Sequence, residues 1–337
     1  MFSSTDFYID LGTANTLICT SHRGTLLNEP SVVTTCSLMG RTGTYAVGTE
    51  AKKMLGKTPS RLTVHRPLRD GVIANFDSTA RMLNGFISRI KANCYWFRPK
   101  LIISLPYQVT YHERQAVKEI GLDLGAKNVE LLHEPVAAAI GANLPIFDKR
   151  GSMIVDIGGG TTEIAIISVG GVVNAQAVRT GGNHIDEAII KLVRNHYQIA
   201  IGDQTAEKIK ISVASALVDG INYRVEIGGL DCATGLPTRA VIDSRMIYPA
   251  VDGVLRVIIA SIRQAFSSCP ADIAGDIEHS GIMLAGGGAL MHQLQDRLEM
   301  ELGIRIRIAE NPLYSVTRGG AWALRSPKLF ELLEAPF

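Results

Sequence analysis

The 337-residue sequence has no run approaching the roughly 18 uncharged apolar residues that carry a helix across a bilayer. It has no basic, apolar leader either: "MFSSTDFYID" reaches an acid at Asp6, which argues against a secretory signal. The charge imbalance is slight, a formal +2, so the sequence excludes a bulk polyanion binder and no nucleic-acid partner is expected. Cysteines are few and unpaired in spacing. Cys19, Cys36, Cys94, Cys232 and Cys269 form no CxxC, as expected of reduced thiols in a cytoplasmic protein rather than of a zinc or disulfide framework. There is no GxxxxGK[ST] and no low-complexity linker. What is present, 46% hydrophobic and 20% charged residues over a length sufficient for two domains, describes a globular α/β protein.

Residues 7–20 read as two strands joined by a glycine-bearing turn, with "PSVVTTCSLMG" and "TYAVG" as further strands and "EAKKMLGK" as a short helix. "RPLRDGVIANF" reads as a loop leading to a strand, and residues 78–92 as a helix with Ser78 at its N-cap. A buried strand "KLIISLP", a helix "YHERQAVKEIGLDLGA", a strand "NVELL" and an alanine-rich helix "EPVAAAIGANL" complete the first half. The pattern restarts at residue 151. A meander over "SMIVDIG", "TTEIAIISVGG" and "VVNAQAVRTGG" precedes helices in "NHIDEAIIKLVRNHY" and "TAEKIKISVASAL". Strands follow in "INYRVEIGG" and "TRAVIDS". A long helix from Met246 then carries Pro249 in its first turn, and a strand–glycine turn–helix unit covers 280–303. Each half opens with a hairpin whose first strand ends in Asp-hydrophobic-Gly.

Asp10 and Asp156 are those acids. A turn rich in glycine and threonine brings backbone N–H groups close to an anion. A carboxylate beside a phosphate is repelled unless a divalent cation, with its waters, lies between them. Two such turns facing each other across a cleft form a polyphosphate clamp. Neither turn opens a helix, so neither is a dinucleotide fingerprint. A third glycine run, Gly286-Gly287-Gly288, sits between a strand and a helix and fits close backbone approach to a flat base.

"DLGTANT", "DIGGGTTE" and "LAGGGAL" resemble the phosphate-1, phosphate-2 and adenosine motifs of the superfamily of actins, sugar kinases and heat-shock chaperones. Within it the chain is similar to the MreB family of bacterial actins from residue 7 to about 325. The similarity runs in order through "NEPSVV", "RPLRDGVIA", "EPVAAAIGANLP", "IGDQTAEKIK", "ATGLP" and "AENPL". The resemblance implies an actin-like fold: two RNase H-like α/β domains around a nucleotide cleft, each with a smaller subdomain. Subdomain IA would comprise 1–28, 64–140 and 318–337, and IB 29–63. Subdomain IIA would comprise 141–174 and 250–317, and IIB 175–249.

It also implies ATP and Mg²⁺ as ligands, with slow ATP hydrolysis coupled to polymerisation. Asp10 and Asp156 would hold the ion through water. Gly12, Thr13, Ala14 and Asn15 would grip one side of the phosphates, and Gly158, Gly159, Gly160 and Thr161 the other. Glu134 would orient the attacking water with Thr161 as its partner. Glu207 and Lys210 would lie near ribose and adenine, with Gly286, Gly287, Gly288 and Ala289 against the adenosine. Departures from the family pattern are His133 in place of a second glutamate and Ala285 in place of threonine. Asn183-His184 replaces an acidic pair, and Asn75 an aspartate. They bear on rate, nucleotide preference and filament contacts rather than on nucleotide binding.

"CYWFRPK" sets Tyr95, Trp96 and Phe97 beside Arg98, Lys100, Arg89 and Lys91, and aromatics next to cations suit a membrane interface. The corresponding family loop is implicated in membrane contact. The resemblance therefore implies a homopolymer on the inner face of the cytoplasmic membrane, working with the cell-wall elongation machinery in control of cell shape. Two other readings are a small-molecule kinase of the same superfamily and a filament scaffold with little turnover. A chaperone would need a peptide-binding domain beyond Phe337, where this sequence stops.

Overall fold

A computed structural model describes residues 6–38, 41–91, 98–218 and 222–330. In the first half, β1 (Phe7–Leu11), β2 (Asn15–Thr20) and β3 (Gly24–Pro30) lead to β4 (Val33–Leu38), β5 (Arg41–Val47), α1 (Thr49–Lys53) and β6 (Leu62–His65). Then come β7 (Leu68–Arg69), β8 (Val72–Ile73), α2 (Phe76–Lys91), β9 (Lys100–Leu105), α3 (Tyr111–Asp123), β10 (Asn128–His133) and α4 (Glu134–Gly141). The second half opens with β11 (Ser152–Ile157), β12 (Thr162–Ser168), β13 (Gly171–Val178), α5 (Gly182–Tyr197), β14 (Ile199–Ala200) and α6 (Asp203–Val213). It continues through β15 (Arg224–Asp231), β16 (Pro237–Asp243), α7 (Ser244–Ser267), α8 (Ala271–Ser280), β17 (Ile282–Ala285), α9 (Leu294–Leu302) and β18 (Ile306–Ile308). Helices α10 (Ser315–Arg325) and α11 (Pro327–Phe330) close the described chain.

The two halves repeat one topology. The first sheet has the order β3-β2-β1-β9-β10, and the second β13-β12-β11-β17-β18. In both, the first three strands are an antiparallel meander, the fourth pairs in parallel with the first, and the fifth in parallel with the fourth. Both second strands also slip register, at Ile18/Cys19 and at Ile166/Ile167. Parallel strands buried on both faces demand unbroken apolar runs, as in "KLIISL" and "SMIVDI". Each half carries a smaller sheet, β5-β4-β6 in the first and β14-β15-β16 in the second. This is the actin-like fold.

Strand alternation places the acids. Phe7 and Ile9 face the core formed with α2 and α3, while Tyr8 belongs to the apolar cluster between the two large sheets. Asp10, two residues on from Tyr8, shares that inward side. Likewise Val155 and Ile157 face the outer core of the second half, and Ile154, hence Asp156, the inner side. The halves are joined there by α4 and α10. A Cβ on Gly141 would strike the Ser315 carbonyl, and one on Gly319 the Ala137 carbonyl, so both positions require glycine for the backbones to meet.

Local expectations fail in instructive places. Helix α2 begins two residues before Ser78, because Asn75 Oδ1 accepts the Ser78 amide at 2.8 Å and supplies the cap itself. "RPLRDGVIANF" forms the β7–β8 hairpin on an Asp70-Gly71 turn with φ +50 and +81, and runs into this helix rather than a strand. Pro249 lies inside α7, beyond its first turn, because Asp243 caps the helix at the Met246 amide. Helix α6 stops at Val213, and Ala214 turns extended. Strands β3 and β18 and helices α8 and α10 are absent from the sequence reading, although the apolar residues of α10 fall on one buried face.

Candidate functional site

The β1–β2 turn, Gly12 to Ala14, is braced from outside: Ser31 Oγ donates to the Gly12 carbonyl at 2.6 Å and Ser31 N to the Ala14 carbonyl at 2.9 Å. The β11–β12 turn is closed by Gly158 N donating to the Thr161 carbonyl at 2.9 Å. The first amides of α5 cover its other carbonyls, Gly182 N on Gly158 O at 3.0 Å and Asn183 N on Gly159 O at 2.8 Å. Carbonyl oxygens are thus used by protein donors. Among the described residues, none of the amides of Gly12, Thr13, Ala14, Gly159, Gly160 or Thr161 donates to a protein acceptor. Unpaired backbone donors are uncommon in folded proteins, and six on two facing turns form an anion nest.

The turns touch. A Cβ on Gly160 would come within 2.7 Å of Thr13 Oγ1, which itself accepts the Gly71 amide at 2.9 Å. Gly71 in turn sits against the Thr161 methyl group and Pro106. The third glycine run closes the same corner: Gly286, at φ +78, packs its bare Cα against Asp156 and the Ile157 carbonyl, with Gly288 on the Ile157 side chain and Ala289 fully buried.

Four carboxylates converge beneath the nest. Asp10 is 9% and Asp156 7% exposed, and burial pushes each up to about 7, with Asp10 adding to the effect on Asp156. Ser104 Oγ donates to Asp10 Oδ1 at 3.1 Å and partly offsets its rise. Glu134 opens α4, yet a helix dipole supplies only about 0.3–1 kcal/mol. Burial first, then Asp10, Glu163 and Asp156, raise it well above the ordinary range. Glu163, the fourth, is 1% exposed and burial holds it at about 8. Two buried aspartates of hard oxygen, with no lysine or arginine bonded to either among the described residues, fit a divalent cation. No three His, Cys, Asp or Glu side chains are placed to ligate an ion directly among those residues.

Glu207 and Lys210 lie on α6 at the cleft's far rim. Glu207 is paired with Lys52 of α1 at 2.6 Å, and Arg66 with Asp203 at 3.1 Å, while Gln204 Nε2 donates to the Lys52 carbonyl at 2.7 Å. These contacts bridge the two smaller sheets' elements across the cleft mouth. Lys210 Nζ donates to Gly182 O at 3.0 Å and to Asp186 at 2.8 Å, tying α6 to the start of α5. Asn15 Nδ2 donates to Asn28 Oδ1 at 3.0 Å, and so orients the base of the first turn. His133 is buried and its pKa is lowered by that burial, so it adds no cation beside Glu134. Tyr95, Trp96 and Phe97 lie outside the described residues.

Sequence reading missed Glu163, Ser104, Tyr107 and Gly71. A signal existed for Glu163: an acid inside the strand "TEIAIIS", whose first six residues are all buried. The others are recognisable only by position in space.

A family model described as "MreB/Mbl protein" matches residues 4–331. The cell shape-determining protein MreB of Escherichia coli (strain K12) is 44% identical over 329 residues, covering 96% of this chain and 94% of that one. The crystal structure of MreB5 of Spiroplasma citri is 33% identical. Its ADP-bound form superimposes with a TM-score of 0.91 over 97% of this chain and 98% of that one, and its AMPPNP-bound form with 0.92 over the same shares. The MamK double helical filament, 20% identical, shares the fold over 96% of this chain and 99% of that one, with a TM-score of 0.79. No helix among the described residues is long and apolar enough to cross a membrane.

Proposed function

The chain belongs to the MreB/Mbl family, and from that premise we propose that it is a cytoskeletal ATPase: it binds ATP with Mg²⁺ between its halves, hydrolyses it slowly and polymerises. The observation that carries the proposal is the pair of facing turns, six unpartnered amides flanked by Asp10 and Asp156. Nucleotide-bound MreB5 of the same fold supports it. The amides of Gly12 to Asn15 and of Gly159 to Thr161 would hold the phosphates, whereas the Gly158 amide is already bonded to the Thr161 carbonyl and shapes the turn; Asp10 and Asp156 would hold the hydrated ion. When bound, the ion would supply charge neutralisation at the phosphates. Glu134, with Thr161, orients a water toward the terminal phosphate. A buried carboxylate with a raised pKa is suited to accept that water's proton. Gly286 to Ala289 support the adenosine, with α6, bearing Glu207 and Lys210, opposite.

Family membership further supports filaments on the inner membrane face, working with wall-synthesis proteins to set cell shape. Tyr95, Trp96 and Phe97 supply the lipid contact. The test is electron microscopy of the purified chain on an anionic lipid monolayer with ATP and Mg²⁺. Filaments that need the nucleotide are expected. Their absence across a range of protein concentrations would overturn the proposal.

A further inference from the structure

The two hairpins that build the nest match in topology but not in one pair of residues. Leu17 faces Asp10 across the first hairpin, and Glu163 faces Asp156 across the second. An acid in a strand with no solvent access is costly unless it is bonded. Glu163 Oε2 accepts the Tyr107 amide at 3.3 Å, reaching from the second half into the loop after β9 of the first. Its Oε1 is buried with no protein partner among the described residues.

Tyr107 and the residue before it hold His133. The Tyr107 and His133 rings lie 4.8 Å apart at 49°, and the His133 ring hydrogen-bonds to the Pro106 carbonyl. His133 is the N-cap residue of α4, and Glu134 is the next residue. Pro106 also packs under Gly71, which meets the Thr161 methyl group. A continuous set of contacts therefore runs from Glu163 through Tyr107 and His133 to Glu134.

We propose that Glu163 is a positioning residue for ATP hydrolysis: its carboxylate oxygen fixes the Pro106–Tyr107 loop, which through His133 sets the direction of Glu134. This rests on the ATPase reading above. It assigns His133 a definite task, that of a ring tilted against Tyr107 and hydrogen-bonded to hold the start of α4. Only an acceptor oxygen is needed at position 163, so an amide will serve where a hydrocarbon will not.

The test compares the full-length wild type with Glu163→Gln, Glu163→Leu and Tyr107→Leu. Amide hydrogen exchange at residue 107, measured without nucleotide, is expected to quicken about tenfold in Glu163→Leu and to stay within threefold of wild type in Glu163→Gln. With ATP and Mg²⁺, Glu163→Leu and Tyr107→Leu are each expected to lose tenfold or more in kcat, with KM changed less than about threefold. Glu163→Gln is expected to recover most of that loss, and the Glu163→Leu, Tyr107→Leu double variant to be no slower than the worse single one. Unchanged exchange in Glu163→Leu, or a Gln variant as slow as the Leu variant, overturns the inference. Should Glu163→Leu not fold, Tyr107→Leu with normal kcat overturns it. A wild type that hydrolyses no ATP refutes the ATPase reading itself, a result distinct from any difference among the variants.

Discussion

Gly159 of the second turn lies directly against Ala14 of the first, so that a Cβ on Gly159 would meet the Ala14 Cβ at 2.6 Å. The clearance between the two halves at the nest therefore depends on the missing methyl group here, as it does at Gly160 against Thr13. Real Cβ atoms do not approach so closely, and both neighbours are backbone-fixed. Gly159→Ala is expected to part the turns and weaken ATP binding about tenfold or more, while thermal unfolding stays close to wild type because no core residue moves. Titration with a fluorescent ATP analogue reads the affinity. Unaltered affinity would show that the turns do not act together on one ligand.

Glu134 sits among three other buried carboxylates, Asp10, Asp156 and Glu163. Glu134→Gln is expected to leave ATP affinity within about threefold and to slow hydrolysis by about a hundredfold or more, the usual range for loss of a positioned acid–base group. Phosphate release, followed with the nucleotide affinity on the same preparation, separates the two effects. Turnover at the wild-type rate would remove Glu134 from the chemistry.

Burial raises the pKa of Asp10 and Asp156 to about 7 and that of Glu163 to about 8, from ordinary values of 3.8 and 4.5. Between the unfolded and folded values the native state binds more protons than the unfolded chain, so stability falls as pH rises through that window. The nucleotide-free protein is expected to unfold about 3 °C or more lower at pH 8 than at pH 6. Mg²⁺ with ATP is expected to shrink the difference, because a cation favours the ionised acids. Calorimetry at the two pH values checks the sign, and a transition that rises with pH would contradict it.

Trp96 and Phe97 stand next to Arg98 and Lys100 in the sequence. Replacing both rings, Trp96→Ser with Phe97→Ser, is expected to abolish co-sedimentation with anionic liposomes and to leave ATP binding intact. Liposome binding equal to wild type would refute the membrane contact at this loop.

The sequence by itself determined the two-fold plan, because each half must bury an unbroken apolar strand that ends in an acid and a glycine turn. It also named Asp10, Asp156 and the three glycine runs, since those residue types at those strand ends have few other uses. The caps supplied by Asn75 and Asp243 depend on single hydrogen bonds that no periodicity encodes. The cross-cleft relationships were decided only by the tertiary structure. Glu163 meets Tyr107 56 residues away, and Lys52 meets Glu207 across 155. Such pairs arise from how two separately built sheets are set face to face by the glycine contacts of α4 and α10. That arrangement is a property of packing, and local sequence carries no record of it.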